Sequence, residues 1–372
     1  MSNKVRIGVV GLGNMGSGHA NNILTGKVDR CELTAVSDPI PAALAKFPGV
    51  KGFSDSKEML KSGLIDAVII ATPHFDHTSV GIEAFKNGVH VLVEKPISVH
   101  KADCEKLIAA LPKNIVFAAM FQARTEPKFV TLRNLIQSGE LGQIRRINWT
   151  VTDWFRSEAY YASGSWRATW AGEGGGMLLN QCPHNLDMIQ WLFGMPKMVR
   201  SFCHIGKYHD IEVEDEVMSY LEYDDGKTMT FIASTGEAPG TDRFEIAGER
   251  GRVVVHADHL AFTRNVVPTT EFSRTTTTKF DKPESWEIKV PVRGPAGSHQ
   301  IIIDNFVKAI LDGAELIAPA IEGIKSVELA NAMVYSSFQD ASISLPLNSA
   351  DYAAFLAEKC KTSRFHQLTK KK

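Results

Sequence analysis

Over the first 122 residues, short apolar runs alternate with stretches of helical periodicity. The runs fall at 5–10, 32–38, 67–72, 90–95 and 116–121. They are almost continuous in Val, Ile, Ala and Leu, the composition of strands covered on both faces. Between them, 42–47, 56–62 and 79–87 carry apolar residues at helical spacing. Strand–helix alternation of this kind calls for a doubly wound α/β fold with a parallel sheet.

After Arg124 the texture changes. A helix is expected over 126–138, stopping at Gly139, and an aromatic-rich stretch runs from Trp149 to Trp170. A second helix is expected over 177–193, ending at Gly194-Met195-Pro196. Strands follow at 199–208, 215–223, 227–235, 243–247 and 251–256, with Asp225-Gly226 between two of them as a two-residue hairpin signal. Strands adjacent in sequence and joined by tight turns make an antiparallel sheet. The threonine-rich stretch 269–278 reads as a loop or an edge, and helices at 299–311, 321–341 and 350–360 close the chain. A chain of 372 residues is also too long for one core. The expected organisation is therefore an α/β domain over residues 1–123 and an α+β domain with a large, open, mostly antiparallel sheet over 124–372.

Composition excludes several classes. Lys+Arg 41 against Asp+Glu 42 leaves a net charge of −1, so no overall field draws nucleic acid or an anionic membrane. The Lys370-Lys371-Lys372 tail is too short to alter that and reads as a frayed terminus. Five cysteines, odd in number and without C-x-x-C spacing, point to a reducing compartment and argue against a disulfide framework or structural zinc. No apolar run approaches a membrane span, and the first strand begins at Val5, so a cytoplasmic protein without a signal peptide is expected. No metal site is expected.

Gly11-Leu12-Gly13-Asn14-Met15-Gly16 follows the first strand and opens a helix. Glycines here permit the tight turn, close approach of a pyrophosphate to backbone N–H groups, and helix–strand packing. Gly11, Gly13, Asn14, Met15 and Gly16 are thus the candidate phosphate contacts. Asp38, about 20 residues further on at the end of the second strand, is placed to accept from a ribose 2′-OH. Pro39, Ile40 and Pro41 follow it with no arginine to offset a 2′-phosphate, so NAD is the expected cofactor rather than NADP. Thr72 and Pro73, at the end of the 67–72 strand, would line the nicotinamide half. His77 is placed either to touch the cofactor or to cap the next helix.

Glu94-Lys95-Pro96 ends the 90–95 strand. A lysine at the carboxyl end of a parallel strand enters the crevice where such sheets bind ligands, and the proline stops the ladder there. Glu94 and Lys95 complete the cofactor candidates. The second dense motif is Gly174-Gly175-Gly176-Met177-Leu178-Leu179-Asn180-Gln181-Cys182-Pro183-His184-Asn185-Leu186-Asp187. On one continuous helix Asn180 and His184 would share a face. A neutral histidine suits removal of a hydroxyl proton near pH 7. Between 149 and 170, tryptophans, tyrosines and arginines interleave in a pattern suited to a sugar, and Arg156, Tyr160, Trp166 and Arg167 are the candidate substrate contacts. The competing reading is that these aromatics pack domains or subunits together. His299 is placed either in the same pocket or at a helix start.

The motifs GLGNMG, ATPHFDH, HVLVEKP and GGGMLLNQCPHNLD together resemble the glucose–fructose oxidoreductase, inositol dehydrogenase and MocA family, from residue 5 to about 195. The resemblance implies a Rossmann domain, a second domain whose open sheet serves a homodimer or homotetramer, and oxidation of a polyol or sugar carbon by NAD. It places the catalytic lysine at Lys95 and the catalytic histidine at His184. Many relatives carry an aspartate where this chain has Asn180, which can hold a substrate hydroxyl or accept from Lys95 but cannot carry a proton. Pro183, inside the expected helix, predicts a kink just before His184. The function expected is oxidation of a secondary hydroxyl of a sugar, glycoside or inositol. Two alternatives share the fold: a redox-neutral NAD-dependent glycosidase and a non-catalytic NAD-binding regulator.

Overall fold

The computed structural model describes residues 4–368; the Lys370–Lys372 tail lies outside them. Six strands form the first sheet: β1 (Val5–Val10), β2 (Cys31–Ser37), β3 (Lys51–Phe53), β4 (Ala67–Ile70), β5 (His90–Val93) and β6 (Phe117–Ala119). Their order is β3-β2-β1-β4-β5-β6 and every pairing is parallel. That is the doubly wound dinucleotide-binding order, with the switch point between β1 and β4. All four residues of β4 are buried, as the apolar runs require. Lys51-Gly52-Phe53, an edge strand, carries no apolar run and gives no signal in the sequence.

Nine strands form the second sheet. They are β7 (Ile144–Val151), β8 (Met198–Ile205), β9 (Glu214–Glu222), β10 (Thr228–Ser234), β11 (Asp242–Gly248), β12 (Gly251–Val255), β13 (His259–Asn265), β14 (Ser285–Pro291) and β15 (Ile343–Ser344). The order is β14-β13-β12-β11-β7-β10-β9-β8-β15, antiparallel except for β10 beside β7. Central β7 lies where the aromatic stretch was expected to begin. Ile147, Trp149 and Val151 face the core while their neighbours face out, a period of two confined to the last five residues of the strand. Trp149 stacks on Phe244 at 4.2 Å between ring centroids, so it is a core residue, as is buried Trp170.

Three local expectations are corrected. Residues 269–275 form a helix, held through Thr269 N–H on the Glu249 carbonyl. The β9–β10 connection is a three-residue loop, with Tyr223 N–H bonded to Lys227 O and Gly226 at φ +85°, rather than a two-residue turn. The helix expected over 177–193 is two helices, Met177–Asn180 and Pro183–Phe193. Pro183 takes the first helical position, where the N–H it lacks would have no intrahelical partner. The proline therefore starts a helix instead of kinking one, and Asn180 and His184 share no helical face.

Two apolar cores result. The first contains the β1–β6 sheet and also Ile302, Ile303, Phe306 and Val307 from the helix His299–Asp312. Arg124 joins the halves through a bidentate pair with Asp187 (2.8 and 2.7 Å) and a third bond to Glu322 at 2.6 Å. The Arg124 and Asp187 side chains are 1% and 0% exposed. Asp187→Ala leaves that guanidinium buried without its main partner and is expected to destabilise by about 3–5 kcal/mol, read as a lowered Tm.

Candidate active site

The turn after β1 is shaped by what surrounds each glycine. Gly11 sits at φ +85°, and a Cβ on it would meet Ala71 O at 2.6 Å; one on Gly16 would meet Gly11 O at 1.8 Å. A Cβ on Gly13 would meet nothing within 4 Å. Gly13, Asn14 and Met15 are exposed. Gly13 precedes the helix Asn14–Leu24, which has no side-chain cap and no acidic residue in its first turn. The first-turn N–H groups thus face open space, a site suited to a pyrophosphate. Asp38, the first residue after β2, is buried; its Oδ2 accepts from Leu12 N–H at 2.7 Å and its Oδ1 from Ile40 N–H at 2.8 Å. Each oxygen keeps lone pairs for a ribose hydroxyl while fixing the glycine turn. These residues fit a dinucleotide.

Beyond β4, Pro73 is exposed and Thr72 Oγ1 is buried without a protein partner among the described residues. His77 is buried, and its ring nitrogens face Pro96 O at 2.8 Å and Thr72 O at 3.0 Å. Both nitrogens are taken up in tying the loop after β4 to the loop after β5. His77 thus keeps no ring nitrogen free to bond a cofactor, and Phe75, not His77, occupies the cap position. Glu94 is also turned inward, accepting from His19 Nε2 at 2.7 Å and from Lys95 N–H at 3.1 Å. Burial would raise Glu94, but His19, Lys95 and His299 outweigh it and hold the carboxyl down at about 2.

Lys95 extends from the end of β5 and donates from Nζ to the main-chain carbonyl of Asn180 at 2.9 Å. Burial lowers Lys95 from the ordinary lysine range, opposed by Glu94 and Glu173. His184, in the first turn of its helix, has Nε2 at 3.1 Å from Gln122 Nε2, and its ring meets Phe121 edge-on at 6.1 Å. His184 Nδ1 and Gln122 Oε1 are buried without partners among the described residues. Burial and Lys95 push His184 down to about 3, so it stands neutral. The glycine triplet is anchored by Glu214, which takes Gly176 N–H on both oxygens at 2.9 Å and Leu178 N–H at 3.1 Å; burial pushes Glu214 up to about 7.

The aromatic stretch meets this motif through Tyr160, whose hydroxyl donates to Asn180 Oδ1 at 3.2 Å and receives Arg167 Nη1 at 3.0 Å. The Arg156 and Arg167 guanidinium groups lie 5.0 and 4.7 Å from the Tyr160 ring centre. Trp166 lies under Arg167 and edge-on to His74. Tyr160, Trp166, Arg167 and Asn180 thus come together, with Arg156 beside them. The sequence reading missed three buried groups, His19, Glu173 and Glu214, and the half-buried Gln122. Gln122 carries a faint signal as the first polar residue past the 116–121 run; the others carry none.

The family description "Oxidoreductase family, NAD-binding Rossmann fold" matches residues 5–121, and "GFO/IDH/MocA C-terminal domain" matches residues 129–254. The chain belongs to the GFO/IDH/MocA oxidoreductase family. Among similar GFO/IDH/MocA-type proteins is scyllo-inositol 2-dehydrogenase (NAD(+)) of Bacillus subtilis, 28% identical over 68% of this chain and 75% of that one. Inositol 2-dehydrogenase of Rhizobium meliloti is 27% identical over 92% and 99%. Among solved structures, the WlbA dehydrogenase of Bordetella pertussis, in complex with NADH and UDP-GlcNAcA, is 26% identical over 93% of this chain and 99% of that one, with a TM-score of 0.80. This GFO/IDH/MocA member is an NAD-dependent oxidoreductase. Among the described residues no helix is long and apolar enough to cross a membrane.

Proposed function

We propose that the protein oxidises a secondary hydroxyl of an inositol, sugar or glycoside to a ketone, with Lys95 and His184 as its catalytic residues. NAD supplies the hydride acceptor when bound. Residues 1–123, joined by the helix His299–Asp312, hold the cofactor, and 124–372 supply the substrate pocket and subunit contacts. The observation that carries the reading is the convergence of a lysine ammonium, a neutral histidine and unpartnered polar atoms on Gln122 and Thr72 at the carboxyl ends of β4, β5 and β6. The substrate class takes support from the inositol dehydrogenases and from the NADH and UDP-GlcNAcA complex.

Lys95 donates a hydrogen bond to the substrate oxygen and stabilises the charge that develops there. His184 accepts the hydroxyl proton. The Gln122 amide N–H, now against His184 Nε2, stands where a hydroxyl would donate, and the substrate displaces it. Tyr160, Trp166, Arg167 and Asn180 present ring faces and hydrogen-bonding groups to the remaining hydroxyls. The exposed Phe202, Met218 and Tyr220 on β8 and β9 support a homodimer or homotetramer built on the second sheet, and the five free cysteines support a reducing cytoplasm.

Two measurements test this. NADH formation across a panel of inositols, sugars and glycosides should yield a keto product; release of aglycone without net NADH would instead assign the glycosidase cycle, and bound NAD without turnover the regulator. In competitive titration NADH should bind on the order of 100-fold more tightly than NADPH, because a 2′-phosphate against the Asp38 carboxylate costs several kcal/mol.

A further inference from the structure

Asn180, beside the two catalytic candidates, is uncharged, yet a buried carboxylate stands directly against it. Glu173, the residue before the glycine triplet, is 2% exposed. Its Oε2 accepts from Ala168 N–H at 2.6 Å, and its Oε1 accepts from the Asn180 side-chain amide. The backbone that holds it is fixed on both sides. Glu173 N–H and Gly174 N–H both donate to Thr169 O, and Gly174 lies at φ +85°, where a Cβ would strike Val99 at 2.0 Å. Ala168 itself adopts φ +50°, an uncommon conformation for a residue with a side chain. Asn180 thus bridges two ionisable groups: its carbonyl receives the Lys95 ammonium and its amide is held by Glu173.

We propose that Glu173 is the anionic partner of Lys95 in this chain, a positioning residue that supplies the negative charge Asn180 cannot. The proposal rests on the reading of Lys95 as the group that stabilises the reacting oxygen. Burial raises the Glu173 carboxyl above its ordinary range, and Ala168 N–H, the Asn180 amide, Arg167 and Lys95 oppose it, the compensation that a buried carboxylate needs to stay charged. Seen from Lys95, the charged and titratable surroundings are Glu94 from the end of its own strand, Glu173 from the glycine loop, Arg167 from the aromatic stretch and Cys182 from the helix break. His74, His184 and His299 complete the surroundings. Glu94 acts on Lys95 more strongly than Glu173 does, but it is engaged by His19; Glu173 is the carboxylate bonded to Asn180, the residue that receives the Lys95 ammonium.

The test is the titration of Lys95, followed through its carbon-13 Cε resonance, which is identified by its loss in Lys95→Arg. Removing a nearby carboxylate lowers a lysine pKa, so in Glu173→Gln the midpoint should fall by about one unit or more. The basic limb of kcat should move to lower pH with it. The exchanged variant Glu173→Gln/Asn180→Asp swaps the amide and the carboxylate between the two positions. Its amide at position 173 accepts from Ala168 N–H and donates to the carboxylate at position 180, so no hydrogen-bonding group is orphaned. There the Lys95 midpoint and the basic limb should return toward wild type. A Glu173→Gln protein with an unchanged Lys95 midpoint would overturn the proposal, whatever its Tm. Should Glu173→Gln fail to fold, the exchanged variant carries the test alone, and a Lys95 midpoint displaced by about one unit or more would overturn it. The titration needs no substrate. Unchanged turnover in Lys95→Ala would therefore remove the catalytic reading separately.

Discussion

His184→Ala should lower kcat by about 100- to 10,000-fold, the usual contribution of a positioned acid–base group, with NADH affinity little changed. Lys95→Ala should produce a loss of similar size, and the double variant should lose little more, because the two groups act on one oxygen as a unit. The pH dependence follows from the local electrostatics. His184 works when neutral, so its activity is lost as pH falls through its pKa, which burial and Lys95 push down to about 3. The acid limb of kcat/KM should therefore lie well below the ordinary histidine range. An acid limb near 6.5 that disappears in His184→Gln would contradict this. Steady-state kinetics with fluorescence titration of NADH checks all of these outcomes.

The second large effect separates two glycines that look alike in the motif. In Gly16→Ala the new Cβ would sit 1.8 Å from Gly11 O, so the turn must open, and a loss of about 3 kcal/mol in stability is expected. In Gly13→Ala the Cβ points into open space, and at an N-cap position the change in stability should stay within about 1 kcal/mol. That space is where our proposal places the pyrophosphate. A clash of about 3 kcal/mol there corresponds to a Kd raised on the order of 100-fold. Gly16→Ala should thus register in Tm without ligand, and Gly13→Ala only in NADH binding. If both variants bind NADH as wild type does, the cofactor is not in this turn.

What could be read from sequence shares one property: the chemistry lies within a local pattern. The glycine turn, Asp38 and Lys95 each stand at the end of an apolar run, and the structure sets them along the carboxyl edge of the parallel sheet. The groups that were not legible owe their roles to contacts between distant segments. Gln122 reaches His184 across 62 residues, and His19 reaches Glu94 across 75. Glu173 is the exception: Ala168 and Thr169, a few residues before it, hold it within one irregular turn that no periodicity marks. In the second domain, periodicity found β8 to β12 and missed β13, β14, β15 and β7, whose alternation covers only its last five residues. Pro183 was legible as a break in helical pattern; only the structure shows that it begins a helix rather than bending one.

The central claim is that the carbinol hydrogen of a secondary alcohol is transferred as hydride to NAD, with Lys95 and His184 handling the hydroxyl oxygen and its proton. The most direct measurement uses a substrate from the panel deuterated at the carbinol carbon, with the NADH product examined by mass spectrometry. Wild-type protein should place the deuterium in NADH and yield the ketone, and Lys95→Ala and His184→Ala should slow that transfer by the factors given above. Deuterium that stays in the sugar, or appears in solvent while NADH remains unlabelled, would contradict the account.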